Sequence, residues 1–439
     1  MTRTQLDAIV QALTVVLAAR APADAQLRQF FREHRSLGAR DRALVADTVY
    51  AALRRRRLLE HVTPHGSPRE IALAAIVKLQ GVGLSQIEAA LQPGEREWLM
   101  ALKARDLDGL PFEIRADLPD WVIERLRREM DDASILALAR ALQQPAPLDL
   151  RVNALKAPRE AVLDRLDYDG IPAVATKHSP LGVRLRDKPA LNQHPMFLDG
   201  AVEVQDEGSQ LLGMLVEPRR GEMVVDFCAG AGGKTLQMGA AMHSTGRLYA
   251  FDVSDKRLAN LGPRLKRSGL SNVFPQRIDG ENDAKVKRLR GKIDRVLVDA
   301  PCTGLGTLRR NPDLKTRQTV EAIAELNAKQ RAIVEAAGSL VKPGGRLVYG
   351  TCSLLAEENE QVVRAFLAAH PDFRLVPAKE VLERQGVKLE GAGDYLRLLP
   401  HVHGTDGFFA AVLERAKAQG KAGNAEGRGS GADPRSTPD

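Results

Sequence analysis

The stretch MVVDFCAGAGGKT, residues 223–235, decides the fold of this chain. A short apolar run leads here into a glycine-rich turn and then into a helical segment. The pattern continues downstream, where the apolar runs RLYAFD, VFPQRI, RVLVD and RLVYGT alternate with helical segments. This alternation predicts an α/β fold, in which a parallel, doubly wound β-sheet is covered by helices on both faces. The later run GFFAAVL, residues 407–413, is expected to close this sheet as an edge strand.

The chain has 439 residues, and one hydrophobic core rarely serves more than about 300, so several units are expected. Helical periodicity dominates the first part, and a mixed pattern follows the Pro-rich stretch QQPAPL. The predicted units are an all-helical domain (1–92), a helical linker region (93–146), a small α/β module (147–200), the doubly wound domain (201–415) and a disordered tail (416–439).

The composition indicates a basic protein. The formal net charge is +8 and the pI is about 9.4. Such a surface attracts polyanions and favours nucleic acid as a partner, although a basic but unspecialised surface gives the same numbers. The run Arg54–Arg57 either contacts phosphates or forms a solvated helix end. No membrane span and no signal-peptide layout is found, so we expect a cytoplasmic protein.

The positions of the cysteines favour a catalytic role over a disulfide or metal-binding role. Cys228, Cys302 and Cys352 include no Cys-x-x-Cys pair, so neither a disulfide framework nor a metal site is expected. Cys302 and Cys352 each directly follow a predicted strand, which places both at the ligand-binding edge of the sheet. A lone cysteine is usually a small buried hydrophobe, but two at this edge favour a nucleophile. Cys228 is interpreted as structural.

The glycine-rich turn predicts a cofactor site, because glycines let the backbone approach a ligand and a helix N-terminus offers free N–H groups. The turn lacks the dinucleotide and phosphate-loop fingerprints, so neither NAD nor ATP is favoured. Aspartates follow several strands; each alone could be a helix cap, but together they indicate a crevice. The residues assigned to the site are Cys228, Ala229, Gly230, Ala231, Gly232, Gly233, Lys234, Asp252, Arg257, Asp279 and Asp299.

Within this site the aspartates are expected to have different tasks. Asp252 should hold a ribose, Asp279 should border an adenine and Asp299 should face the reacting centre. Lys234 is interpreted as a cation at a helix start rather than a triphosphate ligand.

Several motifs resemble those of one family. DAPCTGLGTLRRNPD, GTCS, FCAGAGGKT and VQDEGSQLLGMLVEP, with LRVN and TDGFFAAVLER, are similar to the motifs of the Nop/Sun (RsmB-type) RNA cytosine-5 methyltransferases. The resemblance covers residues 147–415. It implies a Rossmann-like class I methyltransferase that uses S-adenosyl-L-methionine and acts on RNA, with small-subunit (16S) ribosomal RNA as the expected substrate.

The family's pattern also implies that Cys352 is the covalent nucleophile and that Cys302 assists product release. The attack on carbon 6 of cytosine further needs an acid near the ring nitrogen, for which Asp299 is expected. Arg309 and Arg310 are expected to contact phosphates. The family's usual loop reads CAAPGGKT, and Gly230 and Ala231 depart from it, which predicts a looser turn that bears on cofactor affinity.

The N-terminal segment SLGARDRALVADTVYAALRRRR is similar to the domain, resembling antitermination factor NusB, that precedes the catalytic unit in bacterial small-subunit rRNA methyltransferases. We expect a monomer. Two alternatives stay open: the same chemistry on tRNA or on another rRNA site, and a non-catalytic RNA-binding factor in ribosome assembly.

Overall fold

The computed structural model describes residues 1–417; the predicted disordered tail lies, from residue 418 onward, outside the described residues. The first part of the chain is helical, and a π-helical segment, Ala75–Leu79, continues its fifth helix. The helices are α1 (Arg3–Leu17), α2 (Ala23–Glu33), α3 (Ala39–Arg54), α4 (Arg56–Val62), α5 (Pro68–Ala74), α6 (Leu84–Ile87), α7 (Glu95–Ala104), α8 (Phe112–Ala116), α9 (Asp120–Leu126) and α10 (Asp132–Leu142). None of the helices within residues 1–417 has the length and apolar character needed to cross a membrane.

The apolar side chains of these helices form two separate hydrophobic clusters. Apolar side chains of α1 to α7 form one cluster. Those of α8 to α10, such as Ile123 and Leu138, form another together with Leu305 and Leu308, which follow Cys302 in the chain. The linker helices therefore pack directly on the segment that follows Cys302.

A small antiparallel sheet follows the helices. Its elements are β1 (Leu148–Val152), α11 (Arg159–Tyr168), β2 (Ala173–Ala175), β3 (Gly182–Leu185), α12 (Pro195–Leu198) and β4 (Val202–Val204), with strand order β2-β3-β1-β4. The predicted module ended at residue 200, before β4. A strand of three residues is too short to give a readable alternation of apolar and polar positions.

The large sheet begins after α13 (Glu207–Met214) and has the strand order β10-β12-β9-β8-β5-β6-β7. Strands β5 to β9 are mutually parallel, which confirms the Rossmann-like α/β fold. The strands are β5 (Met223–Asp226), β6 (Arg247–Asp252), β7 (Val273–Arg277), β8 (Ile293–Asp299), β9 (Val341–Thr351), β10 (Phe373–Val376), β11 (Tyr395–Leu398) and β12 (Phe408–Arg415). The helices are α14 (Gly233–Ala241), α15 (Asp255–Ser268), α16 (Ala284–Lys287), α17 (Leu314–Arg317), α18 (Val320–Leu340), α19 (Glu360–Ala369), α20 (Ala378–Glu383) and α21 (Pro400–His403).

The expectation that the last strand lies at an edge is wrong. β12 pairs with β9 on one side, and on its other side it pairs with β11 along its first half and with β10 along its second. The buried residues of β12 run without a break from Phe408 to Leu413, as expected for an interior strand. The four-residue strands β10 and β11, which cover it, give no strong pattern of their own in the sequence.

A buried ion pair ties the helical part to the large sheet. Lys315 of α17 donates from its Nζ to the carboxylate of Asp117 (2.7 Å) and to the backbone carbonyls of Asp117 (2.9 Å) and Arg54 (2.8 Å). Burial lowers the pKa of Lys315, while Asp117 acts in the opposite direction. The carboxylate of Asp117 also accepts from the backbone N–H of Leu58. One lysine thus joins three segments that are distant in sequence.

Replacing Lys315 by Met should lower the free energy of unfolding by about 3–5 kcal/mol, because it leaves the Asp117 carboxylate buried with its closest cation removed. Urea denaturation measures the change. The exposed Lys388 provides a matched control, and Lys388→Met should have almost no effect. Asp117→Asn in the Lys315→Met background should restore part of the loss. Equal effects of Lys315→Met and Lys388→Met would contradict the prediction.

Candidate functional site

The glycine loop, residues 227–232, joins β5 to α14. Gly232 has a φ of +84°, and a Cβ there would lie 2.2 Å from the buried side chain of Leu261 on α15. Both the backbone conformation and the close approach of α15 therefore require glycine at 232. Gly230 also has a positive φ, +56°, but no atom lies within 4 Å of the position of its Cβ. At 230 only the backbone conformation favours glycine.

Asp252 holds this loop from the neighbouring strand. Its carboxylate, at the end of β6, accepts hydrogen bonds from the backbone N–H groups of Gly230 (2.9 Å) and Ser254 (2.8 Å). Arg257 Nη1 lies 3.6 Å from the same carboxylate. The structure thus brings Asp252 and Arg257 to the glycine loop, where the sequence placed them.

Asp226, at the end of β5, has an incomplete set of partners. Its Oδ2 accepts from the Thr235 hydroxyl at 2.7 Å, whereas its buried Oδ1 has no hydrogen-bond partner among residues 1–417. Burial raises the pKa of Asp226 to about 7, against the opposing effect of the Thr235 hydrogen bond. A buried acceptor without a partner is costly, so this oxygen is suited to a donor group on a ligand.

A cavity of about 330 Å³ opens beside the glycine loop. Of the predicted site residues, those that line it are Cys228, Ala229, Gly230, Ala231, Gly233, Lys234, Asp252, Arg257 and Asp299. The prediction did not include Val253, Ile278, Gly280, Glu281, Lys329 and Ile333, which also line it. Ile278, Gly280 and Glu281 flank Asp279 and could have been suspected from the strand ending there. Lys329 and Ile333 come from α18, where no local motif marks them.

The prediction for Asp279 does not match its position. Its neighbours Ile278 and Gly280 line the cavity, but the side chain of Asp279 is 78% exposed and pairs with Arg277 at 3.1 Å. Successive residues of an extended segment point in opposite directions, so the carboxylate faces away from the cavity. Gly232 also lies outside the lining, because it packs against Leu261.

Lys234 and Asp299 form an ion pair at the wall of the cavity. Lys234 Nζ, in the first turn of α14, lies 2.7 Å from Asp299 Oδ2 at the end of β8. Burial acts to lower the pKa of Lys234, but Asp299, Asp226 and Cys352 outweigh it, so the pKa is raised. Lys234 therefore remains a cation near Cys352, and this role is more specific than the helix-start cation that the sequence suggested.

The two cysteines meet at the ends of adjacent strands. Asp299 of β8 is in register with Gly350 of β9, and the chain continues from each strand to Cys302 and Cys352. Their sulfur atoms lie 3.4 Å apart. Neither cysteine is among the residues that line the cavity, but Pro301, directly before Cys302, is. Cys228 lies instead in the glycine loop and packs against the core cluster that contains Phe251 and Val298.

The two thiols differ in their electrostatic surroundings. The pKa of Cys302 is raised well above its usual range, first by the hydrogen bond with Cys352, then by burial and by the negative charges of Cys352 and Glu358. Cys302 is therefore protonated at neutral pH and can donate its S–H to Cys352. Cys352 is also one of the groups that raise the pKa of Lys234, so this lysine is an electrostatic neighbour of Cys352.

Glu358 connects the two cysteine segments. Its buried carboxylate accepts from the backbone N–H (2.9 Å) and the hydroxyl (2.5 Å) of Thr303, from the Gln330 amide (3.0 Å) and from the Ser353 hydroxyl. Thr303 follows Cys302, and Ser353 follows Cys352. One carboxylate therefore fixes the distance between the two segments that carry the thiols.

The expected phosphate contacts of Arg309 are not possible in this arrangement. Arg309 is buried, and its guanidinium contacts the carboxylates of Asp406 and Asp206. Arg310 pairs with the same two carboxylates, but 30% of its side chain is exposed. Asp206 and Asp406 lie far from Arg309 and Arg310 in sequence, so no local sequence pattern predicts this pairing.

Replacing Glu358 by Ala should lower the free energy of unfolding by at least about 2 kcal/mol, because Thr303, Ser353 and Gln330 lose a buried acceptor. Glu325 on α18 is exposed, so Glu325→Ala serves as the control. Guanidinium denaturation compares the two variants. A Glu358→Ala effect no larger than that of Glu325→Ala would show that the carboxylate does not hold the segments together.

Comparison with known proteins identifies relatives along most of the chain. The family described as 16S rRNA methyltransferase RsmB/F matches residues 213–414, and the Methyltr_RsmF/B-like, ferredoxin-like domain matches residues 118–192. The ribosomal RNA small subunit methyltransferase B of Erwinia tasmaniensis is 32% identical over 407 residues, which cover 86% of this chain and 92% of that protein. A Synechocystis relative is 36% identical over 344 residues, 78% of this chain and 77% of its own length.

Among solved structures, the crystal structure of PH0851 is similar to this chain with a TM-score of 0.76 and 28% sequence identity. The match covers 94% of this chain and 99% of that one. The identity, the coverage and the shared architecture agree, and the chain belongs to the RsmB/F family of 16S rRNA methyltransferases.

Proposed function

We propose that this protein methylates carbon 5 of cytosine in 16S rRNA, with S-adenosyl-L-methionine as the methyl donor and a covalent adduct between Cys352 and the base. The 3.4 Å contact between the sulfur atoms of Cys302 and Cys352 carries the proposal. Carbon 5 is a poor nucleophile until a thiolate adds to carbon 6, and a second group must then remove the proton from carbon 5. The rRNA substrate is inferred from the named relatives.

The residues of the cavity fit S-adenosyl-L-methionine. Asp252 suits the ribose hydroxyls, and the buried, unpartnered Oδ1 of Asp226 suits a donor such as the amino group of the methionine part. The glycine loop leaves backbone space beside the cofactor. When bound, the cofactor supplies an electrophilic methyl group.

Cys352 is the nucleophile in this proposal. As Cys352 Sγ bonds to carbon 6, the carbon 5–carbon 6 π electrons shift toward carbon 4 and negative charge builds up at the ring nitrogen. A proton relayed from solvent by the Asp299 carboxylate neutralises that charge and leaves by the same route when the adduct breaks. The developing electron density at carbon 5 then accepts the methyl group. Lys234, paired with Asp299, keeps a positive charge next to the acid and holds its position.

Cys302 completes the reaction. The hydrogen bond with Cys352, burial and the charge of Cys352 raise the pKa of Cys302, and the first and last of these causes disappear once Cys352 is bonded to the base. Cys302 can then release its proton to solvent and take the proton from carbon 5. The freed electrons re-form the carbon 5–carbon 6 double bond and expel Cys352 as a thiolate. Formation and release of the adduct therefore depend on different sulfurs.

Removal of each thiol tests this assignment. Cys302→Ala, incubated with S-adenosyl-L-methionine and unmodified 16S rRNA transcript, should accumulate a protein–RNA adduct visible on a denaturing gel, because release is blocked. Cys352→Ala and the double variant should give none. If Cys352→Ala forms the adduct and Cys302→Ala does not, the roles assigned to the two cysteines are reversed. An adduct with tRNA transcripts only would replace the proposed substrate, and no adduct with any RNA would contradict the covalent route.

The cofactor assignment is tested by two aspartates at equivalent strand ends. Asp252→Asn should weaken S-adenosyl-L-methionine binding by about 2 kcal/mol, roughly thirtyfold, because charge-assisted hydrogen bonds are lost. Asp279→Asn should change the affinity by no more than about twofold, since its carboxylate points away from the cavity. Isothermal titration calorimetry compares them. The opposite order would restore Asp279 as a cofactor ligand.

A further inference from the structure

A second cleft, here called the junction cleft, lies where three parts of the chain meet. It has a volume of about 900 Å³. Its walls come from α3, from the segment between α10 and β1, from the loop after β3 and from the segment after Cys302. It shares no lining residue with the cavity beside the glycine loop. The junction cleft is therefore a separate feature from the proposed cofactor site.

Cations outnumber anions among the residues that line the junction cleft. Its charged lining residues are Arg54, Arg55, Lys188, Arg309, Arg310 and, with the opposite sign, Asp47. Arg55 is partly compensated by Asp117, and Arg309 and Arg310 by two buried carboxylates. Arg54 and Lys188 have no carboxylate within 4.0 Å among residues 1–417.

Arg54 is held in position by groups that carry no negative charge. Its Nε and Nη2 donate to the backbone carbonyl of Arg309 at 3.3 and 3.1 Å, and its guanidinium lies over the Tyr50 ring, 5.6 Å from the centroid. A carbonyl and an aromatic face orient a guanidinium but do not neutralise it. Arg54 thus presents a positioned, uncompensated cation to the cleft.

Lys188 faces the same space from the loop after β3. Partial burial lowers its pKa, and Arg54 and Arg310 lower it further, while Asp47 opposes them. Three cations from three segments therefore repel one another across the cleft. An anion between them would relieve that repulsion, and each cation could donate hydrogen bonds to it.

The dimensions favour a chain of anions over a single ion. The junction cleft is much larger than one phosphate group, and its cations come from separate elements rather than from one loop that surrounds a single anion. A sugar-phosphate backbone places successive negative charges along such a path. We infer that the junction cleft binds phosphates of the RNA backbone through Arg54, Lys188 and Arg310, at a position separate from the cysteines; the inference rests on the proposed function in taking RNA as the substrate.

This binding would act directly on the segment that carries Cys302. The same segment supplies Leu305 and Leu308 to the core of the linker helices, and its Arg309 carbonyl accepts from Arg54. RNA in the junction cleft therefore contacts the helical part and the cysteine segment together, so that anchoring the RNA also orients it toward the reacting thiols.

The test measures equilibrium binding of fluorescently labelled, unmodified 16S rRNA transcript to the full-length protein, without methylation. Lys188→Gln and the double variant Arg54→Gln/Lys188→Gln should weaken binding at 0.1 M salt by about tenfold per cation. The slope of log K against log salt concentration should fall by about 1 per cation. Asp47→Asn should tighten binding about threefold, because it removes the opposing charge.

Arg220 is the matched control. It is exposed and precedes β5, at the amino ends of the parallel strands, opposite the edge that carries the cysteines. Lys188 has no ion pair or hydrogen bond among residues 1–417, so Lys188→Gln preserves the fold even if Arg54→Gln does not. Equal, small effects of Lys188→Gln and Arg220→Gln would overturn the inference.

Two further outcomes are decisive. Polyglutamate binding that depends on Arg54 and Lys188, with RNA binding unchanged, would assign the junction cleft to an acidic protein and overturn the inference. RNA binding that depends on these cations in a protein that forms no adduct with any RNA would support the phosphate site while contradicting the cytosine chemistry. The two proposals therefore fail separately.

Discussion

The parallel pairing of β8 with β9 is the constraint on which the site depends. Parallel strands end at the same edge of a sheet, so whatever follows each of them is brought together. Here the register of Asp299 with Gly350 places two loops side by side, and their cysteines come within 3.4 Å. The backbone hydrogen bond from Gly306 to the carbonyl of Cys352 ties the same loops together. The sheet thus determines which thiols meet before any side chain is considered.

Around this pair, charge is distributed unevenly. A lysine paired with Asp299 lies on the side of Cys352, and the buried carboxylate of Glu358 lies on the side of Cys302. Glu358 is fully buried and the side chain of Lys234 is 10% exposed, so water screens neither charge strongly. Two residues of one type, 3.4 Å apart, therefore have different charged neighbours. Their proposed roles differ because of these neighbours rather than because of the thiols' own chemistry.

Much of the fold and part of the candidate site could be predicted from the sequence, because local sequence patterns reflect local structure. The apolar runs before Cys228, Cys302 and Cys352 are long enough to be recognised as strands, and the edge at which they end follows from the parallel sheet. Part of what the prediction missed depends on long-range contacts: the interior place of β12 and the pairing of Arg309 with Asp206 and Asp406 depend on partners far away in sequence. The orientation of the Asp279 side chain depends instead on the local backbone and on Arg277, two residues away.

The sequence predicts a looser turn at the glycine loop, but residues from outside the loop also contact it. Gly230 has open space around it, yet its N–H is bound by the carboxylate of Asp252, and Gly232 is enclosed by Leu261. A sequence departure at 230 and 231 therefore affects a loop that is held from outside. Its neighbours restrict the freedom that the glycine would otherwise give.

The buried lysine of α17 sets a limit on how this chain can be divided. Every hydrogen-bond acceptor of its ammonium group, the carbonyl of Arg54 and two oxygens of Asp117, comes from the part of the chain before residue 147. A fragment restricted to the two sheets would keep all its strands but lose every acceptor of this ammonium group, and a helical fragment would keep the Asp117 carboxylate without its closest cation. The two parts of the chain are therefore coupled at this point, and neither is electrostatically complete when it is separated from the other.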